Sequence, residues 1–174
     1  MTPADQSAEQ TICLIKGWAR FAYDVSLGNS KLDNDFVKVA PAEIKHLFYP
    51  GARRVYDLMD YRNDASAKGI ALGQILHIVQ DSFSYSHVER DADGKVVKFL
   101  NYLEQKFADH KRHDRDVDEI NAVLGRNLNP VAFGRELLAL RARRAEPREV
   151  EVLLDRYFVL SNSSSSSQAV ACNR

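Results

Sequence analysis

The stretch GQILHIVQDSFSYSHVERD, residues 73–91, sets two histidines and three serines into what begins as an apolar helix. Leu72, Ile75, Leu76, Val79 and Phe83 recur at helical spacing and make one apolar stripe. His77 and Asp81 fall on another face, four residues apart. That is about one helical turn, so both side chains project from the same side. Gly73 lies one turn before His77, and a glycine there leaves room above the imidazole for an ion or a substrate. A single His–Asp pair of this kind is ordinarily an exposed pair on a polar face. Here the pattern is repeated.

Four of the five histidines lie between positions 77 and 113, and His110 with Asp114 restates the four-residue spacing. An imidazole and a carboxylate side by side can hold one zinc ion at roughly 2.0–2.2 Å per ligand. His87 adds a constraint. It follows His77 by ten residues, which on one continuous helix at about 100° per residue turns it about 80° away. It joins the cluster only where the helix ends near Ser82–Ser86, and the SFSYS run suits such an exit. Asp91 and Gly94 then supply a turn before a further helix brings His110 and Asp114 back. Ser82, Ser84 and Ser86 lack a GxSxG elbow and read as helix-exit residues rather than nucleophiles. His113 competes with Asp114 as a ligand but reads as exposed. Glu89 and Arg90 are assigned no role.

The rest of the chain has helical spacing throughout. SAEQTICLIKGWARFAYDVSL (7–27) places Ile12, Ile15, Ala19, Ala22 and Tyr23 on one stripe, interrupted by Gly17. Pro41 opens PAEIKHLF, which YPG terminates. Residues 52–63 form a short amphipathic segment, and after DAS a longer helix runs from about Ala67 to Asp81. Further helices are predicted in VVKFLNYLEQKFADHKRHD, VDEINAVLGR, NPVAFGRELLALRARR and EPREVEVLLDRYFVL. The expected fold is all-α, a compact bundle of about seven helices. Residues 1–160 form one helical metal-binding domain and residues 161–174 a low-complexity, disordered tail.

At 174 residues, one domain with a real core is expected. The 24 basic and 24 acidic residues cancel, which argues against a protein whose main task is wrapping nucleic acid. A local basic patch lies around Arg141, Arg143, Arg144 and Arg148. Cys13 and Cys172, near opposite ends, have no metal-ligand spacing and are expected as two thiols rather than a disulfide. No apolar run reaches the roughly 18 residues of a spanning helix. The polar, acidic start MTPADQSAEQ is unlike a signal peptide. Compartment stays open between cytoplasmic and exported with a leader removed.

LHIVQDSFSYSHVER resembles the signature of the bacterial zinc-dependent phospholipase C family, related to the fungal zinc nucleases that cut single strands. In that superfamily a helix carries His-x3-Asp, a further histidine follows after five residues, and a later helix carries His-x3-Glu. The matching positions are His77, Asp81, His87, His110 and Asp114, the last an aspartate in place of glutamate. The resemblance implies a helical bundle with a cluster of three zinc ions at the bottom of a cleft. It implies that His87, His110 and Asp114 hold one ion, and that His77 and Asp81 help hold the others, with Asp81 as the bridge. The family also uses the amino group and carbonyl of an N-terminal tryptophan, whereas the only tryptophan here is Trp18. His46, in KHLFYPG, is a further candidate ligand, and Asp57 and Asp60 are candidate bridging carboxylates. One to three zinc ions are therefore expected.

The function this implies is a zinc-dependent phosphodiester hydrolase, most like a phospholipase C acting on phospholipid head groups, with His77 and Asp81 as catalytic residues. The alternatives are a single-strand nuclease on the same scaffold and a non-catalytic metal-stabilised helical binding module. The expected partners are a phospholipid or other phosphodiester substrate and, transiently, a membrane surface. No stable nucleic-acid complex is expected.

Overall fold

The computed structural model describes residues 6–51, 53–59, 63–101, 104, 128–161 and 172. Helix α1 (Ala8–Leu27) starts where a capping box closes. Ser7 Oγ accepts the Gln10 amide at 3.2 Å, and Gln10 Oε1 accepts the Ser7 amide at 2.9 Å. It ends at Gly28, whose φ of +77° is the left-handed conformation that glycine adopts without strain. The predicted stripe is the buried one: Ile12, Ala19, Ala22 and Tyr23 all lie in the core. Gly17 interrupts that stripe for a reason of packing. A 3-10 helix (Ala42–Leu47) crosses α1 there, and a Cβ on Gly17 would lie 3.0 Å from Ile44 Cγ2.

Helix α2 (Phe36–Val39) is capped by Asp35, whose side chain accepts the Val37 amide at 3.1 Å. The amphipathic helix expected over residues 52–63 is helical only in α3 (Val55–Leu58) among the described residues. There Gln74 Nε2 donates to the Leu58 carbonyl at 2.8 Å and takes the acceptor that a longer helix would use. Helix α4 (Asp64–Asp81) begins three residues before the predicted start, because Asn63 Oδ1 accepts the Ser66 amide at 2.7 Å. Ala67, Ala71, Ile75 and Val79 are fully buried, and the two alanines let α4 lie close along α1. Helix α5 (Pro130–Ala142) starts with proline in its first turn, behind Asn129 as cap. It packs on α4 and on α6 (Pro147–Asp155), and α6 packs in turn on α1.

Two expectations are corrected. Residues read as the start of a helix at VVKF are instead a strand: β1 (Val88–Arg90) and β2 (Val96–Phe99) form an antiparallel pair. The β-branched Val96 and Val97 and the preceding Asp-Gly turn favour this, and Val96 is buried by it. The segment after α6 adds to the ladder, with the Val96 amide donating to the Val159 carbonyl at 2.7 Å and the Ser161 amide to the Val96 carbonyl at 2.9 Å. Helix accounts for 58% and strand for 9% of the described residues, so the fold is mainly helical, in keeping with the expected class, with a small two-stranded sheet added.

The second correction concerns the cysteines. Cys13 and Cys172 are joined in a disulfide, with Cα atoms 5.4 Å apart, a separation that such a bridge spans without moving the backbone. The bond holds Cys172 beside α1. The helix expected in VDEINAVLGR, the predicted stretch carrying His110 and Asp114, and the tail residues 162–171 lie outside the described residues. Among the described residues no helix is long and apolar enough to cross a membrane.

Candidate functional site

Helix α4 runs through His77 and Asp81 and stops one residue later, with Ser82 as its C-cap. Its apolar face goes into the core through Leu72, Ile75, Val79 and Phe83, which turns the His77–Asp81 face outward. The His77 side chain is 73% exposed and that of Asp81 39%, with Nε2 lying 3.3 Å from Oδ2. Gly73, one turn earlier, has nothing among the described residues within 4 Å of where a Cβ would stand.

The 3.3 Å separation is that of an ordinary ion-pair contact, and it is also compatible with two ligands on one ion. Two donors about 2.1 Å from a tetrahedral zinc are about 3.4 Å apart along the tetrahedron's edge. The observed 3.3 Å fits that edge. A closed structural site needs two more donors, a catalytic site at least one more.

The other sequence candidates are placed as follows. The exit that His87 requires occurs where it was expected: the Phe83 amide donates to the Gln80 carbonyl, Ser84 to Asp81 and His87 to Ser84 in successive turns. His87 is half-buried at the head of the hairpin, its carbonyl accepting the Leu100 amide at 2.9 Å. His46 is exposed on the last turn of the 3-10 helix. Asp57 Oδ2 accepts the Arg54 amide at 2.8 Å, which makes it a cap for α3. Asp60, His110, His113 and Asp114 lie outside the described residues. Among the described residues no three histidine, cysteine, aspartate or glutamate side chains converge as a metal requires. The structure brings His77 and Asp81 together and does not add His87 or His46 to them.

The segment after α4 carries a second polar constellation, and its key residue is one that spacing alone does not single out. Ser82, Ser84 and Ser86 are all buried. Ser82 Oγ donates to the Val79 carbonyl at 2.7 Å, and the Ser84 and Ser86 hydroxyls bond each other at 2.8 Å. Arg90 organises the turn. Its Nε donates to the Ser82 carbonyl at 3.0 Å, Nη2 to Ser82 Oγ at 3.1 Å, and Nη1 to the carbonyls of Gly94 at 2.7 Å and Tyr157 at 3.1 Å. The guanidinium carbon also sits 4.9 Å from the centre of the Phe83 ring. The one sequence signal for this was an arginine seven residues after a buried phenylalanine.

Charge around this segment is held locally. Burial pushes the Asp91 carboxyl up, but the Ser161 hydroxyl and the Lys95 and Asp93 amides outweigh it and leave the group below its ordinary value. Burial drives the Tyr157 phenol up to about 12, assisted by Glu136 and opposed by Arg156. The basic patch read from the sequence is partly neutralised, since Arg143 pairs with Glu149 and Arg144 Nη2 donates to the Leu27 carbonyl at 3.3 Å.

Two cavities lie away from α4's outer face. One of about 410 Å³ is lined by Arg20, Asp24, Glu43, Glu146, Arg148 and Glu151, and there Arg20 bridges Glu43 and Glu151. The other, about 350 Å³, lies between α5 and α6. Neither includes His77, Asp81 or His87.

Compared with family models, with curated proteins and with solved structures, the chain matches none of them.

Proposed function

We propose that the protein is a zinc-dependent phosphodiester hydrolase, most like a phospholipase C, with its reaction centre on the outer face of α4. The observation that carries this reading is the His77–Asp81 pair, set 3.3 Å apart in the open. In this reading His87, His110 and Asp114 hold one ion, and His77 and Asp81 help hold the others, with Asp81 as the bridge. A divalent cation held there would supply Lewis acidity toward a phosphate oxygen and make a neighbouring water more acidic.

The chain's own residues then have definite tasks. The buried stripe of α4 fixes the rotation of the helix, so His77 and Asp81 present their donor atoms without a search over rotations. Asp81 contributes negative charge beside the imidazole and keeps Nε2 facing the shared position. Gly73, one turn before His77, adds no side chain of its own beside the pair, which leaves room there for a substrate.

The test is hydrolysis by the full-length protein of phosphatidylcholine vesicles, a soluble short-chain phosphodiester and single-stranded oligonucleotides, each with and without a chelator. The proposal expects chelator-sensitive release of the phosphorylated head group, lost in His77→Ala and in His110→Ala. Cleavage of oligonucleotide alone would make the protein a nuclease. If metal binds and no phosphodiester is cleaved, the hydrolase reading is wrong and the pair serves a binding module.

A further inference from the structure

The turn after the 3-10 helix presents an aromatic and aliphatic tip on a fixed base. Tyr49 is 86% exposed and Leu47 43% exposed, while Phe48 between them turns inward and meets the Phe36 ring edge-on at 5.1 Å. The base is pinned at three points. Gly51 donates its amide to Asp35 Oδ2 at 2.8 Å, the Phe36 amide donates to the Arg53 carbonyl at 3.0 Å, and the Val55 amide to the Asn34 carbonyl at 3.0 Å. The tip is therefore held out by the fold. A large ring left in water on a rigid base has no folding role.

The charged side chains of the turn itself have one sign. From Lys45 to Arg54 the sequence KHLFYPGARR holds three cations and no carboxylate. Lys45 and Arg53 are exposed and form no ion pair among the described residues. Two carboxylates of the adjoining turns are tied to backbone amides, Asp35 to those of Gly51 and Val37 and Asp57 to that of Arg54, while Asp33 is exposed. Arg54 itself donates to the Asp33 carbonyl at 2.6 Å.

We infer that the Lys45–Arg54 turn docks on an anionic lipid surface, with Tyr49 and Leu47 entering the interface and Lys45 and Arg53 lying among the head groups. An apolar tip flanked by unpaired cations has the charge and polarity of that boundary, where an aromatic ring seats at head-group level and each basic residue gains from the surface potential. A nucleic acid would use the cations but gain less from an aliphatic Leu47 beside them. The inference goes beyond the hydrolase reading and does not depend on metal.

The experiment is co-sedimentation of the full-length protein, treated with chelator, with two kinds of vesicle. One is phosphatidylcholine alone and the other equal parts phosphatidylcholine and phosphatidylserine, each at low and high salt, with oligothymidylate as a third arm. Preferential partition onto the anionic vesicles, weakened by salt, is expected. Tyr49→Ser should lower it about ten-fold, the loss of one ring from the interface. Lys45→Gln with Arg53→Gln should lower it about five-fold per charge, about 25-fold together. Both variants should melt as the wild type does, because the altered side chains are exposed. Equal partition onto both vesicles, wild-type partition by either variant, or binding of oligothymidylate in place of vesicles would each overturn the inference. Because the metal is stripped, loss of phosphodiesterase activity leaves this result untouched.

Discussion

Within residues 73–91 two neighbouring regions handle polar groups in opposite ways. On α4, His77 and Asp81 are exposed and pair with each other, and among the described residues nothing stands within 4 Å of a Cβ placed on Gly73. One turn later, Ser82, Ser84 and Ser86 are buried, and Arg90 directs four hydrogen bonds that tie the helix exit to the hairpin and to Tyr157. The difference separates two uses of polarity. Buried polar groups that satisfy one another specify a conformation. An exposed pair with unused donor capacity adds little to stability and is available for chemistry. The sequence motif joins both regions, but only the first has the exposure a reaction centre needs.

The most damaging test of the buried region is Arg90→Leu. It removes four hydrogen bonds and leaves three carbonyls short of a partner, so a loss of about 3 kcal/mol is expected in urea unfolding. Arg90→Lys should recover little, because a single ammonium cannot reach partners spread around a planar fork. A variant as stable as the wild type would show that the network is decorative.

Alkaline pH probes the same region through Tyr157. Its phenol is held up to about 12 in the fold, against about 10 in the unfolded chain, so the folded state binds the proton more tightly. The resulting stability is complete below about pH 10 and falls away as the pH rises toward 12, by about 2 kcal/mol in all. Unfolding measured across that window should decline, and Tyr157→Phe should flatten most of the decline. An unchanged decline in the variant would contradict the assignment. A smaller effect, about 1 kcal/mol, is expected for Ser84→Ala, which leaves the Ser86 hydroxyl buried without its partner. At the far end of the scale, His77→Ala should change stability by less than about 0.5 kcal/mol, as for other exposed pairs. A large loss there would place the pair with the structural network and undo the comparison.

The helices were legible where local signals agree. Ser7 with Gln10 and Pro130 behind Asn129 mark starts, and the period of apolar residues marks the inner faces of α1 and α4. The start of α4 reads three residues late in the sequence, because DAS rather than Asn63 reads as its cap. The hairpin was less so, because Val96–Phe99 becomes a strand by pairing with β1 and with the segment after α6, 63 residues after Val96 at Val159. The Asp-Gly turn before it was the local hint. The disulfide lay beyond reach for the same reason: 159 residues separate its partners, and only the folded path brings them together. In the candidate site, the four-residue spacing of His77 and Asp81 was readable because a helix converts spacing into adjacency. Arg90 was not, since its partner Tyr157 is 67 residues away.

The central claim is that the exposed face of α4 holds a divalent cation. Elemental analysis of the purified full-length protein, dialysed against dilute zinc and then against zinc-free buffer, tests it most directly. The wild type should retain at least one zinc per chain, and His77→Ala combined with Asp81→Ala should lose zinc while melting at the wild-type temperature. Zinc absent from the wild type, or held undiminished by the double variant, would contradict it.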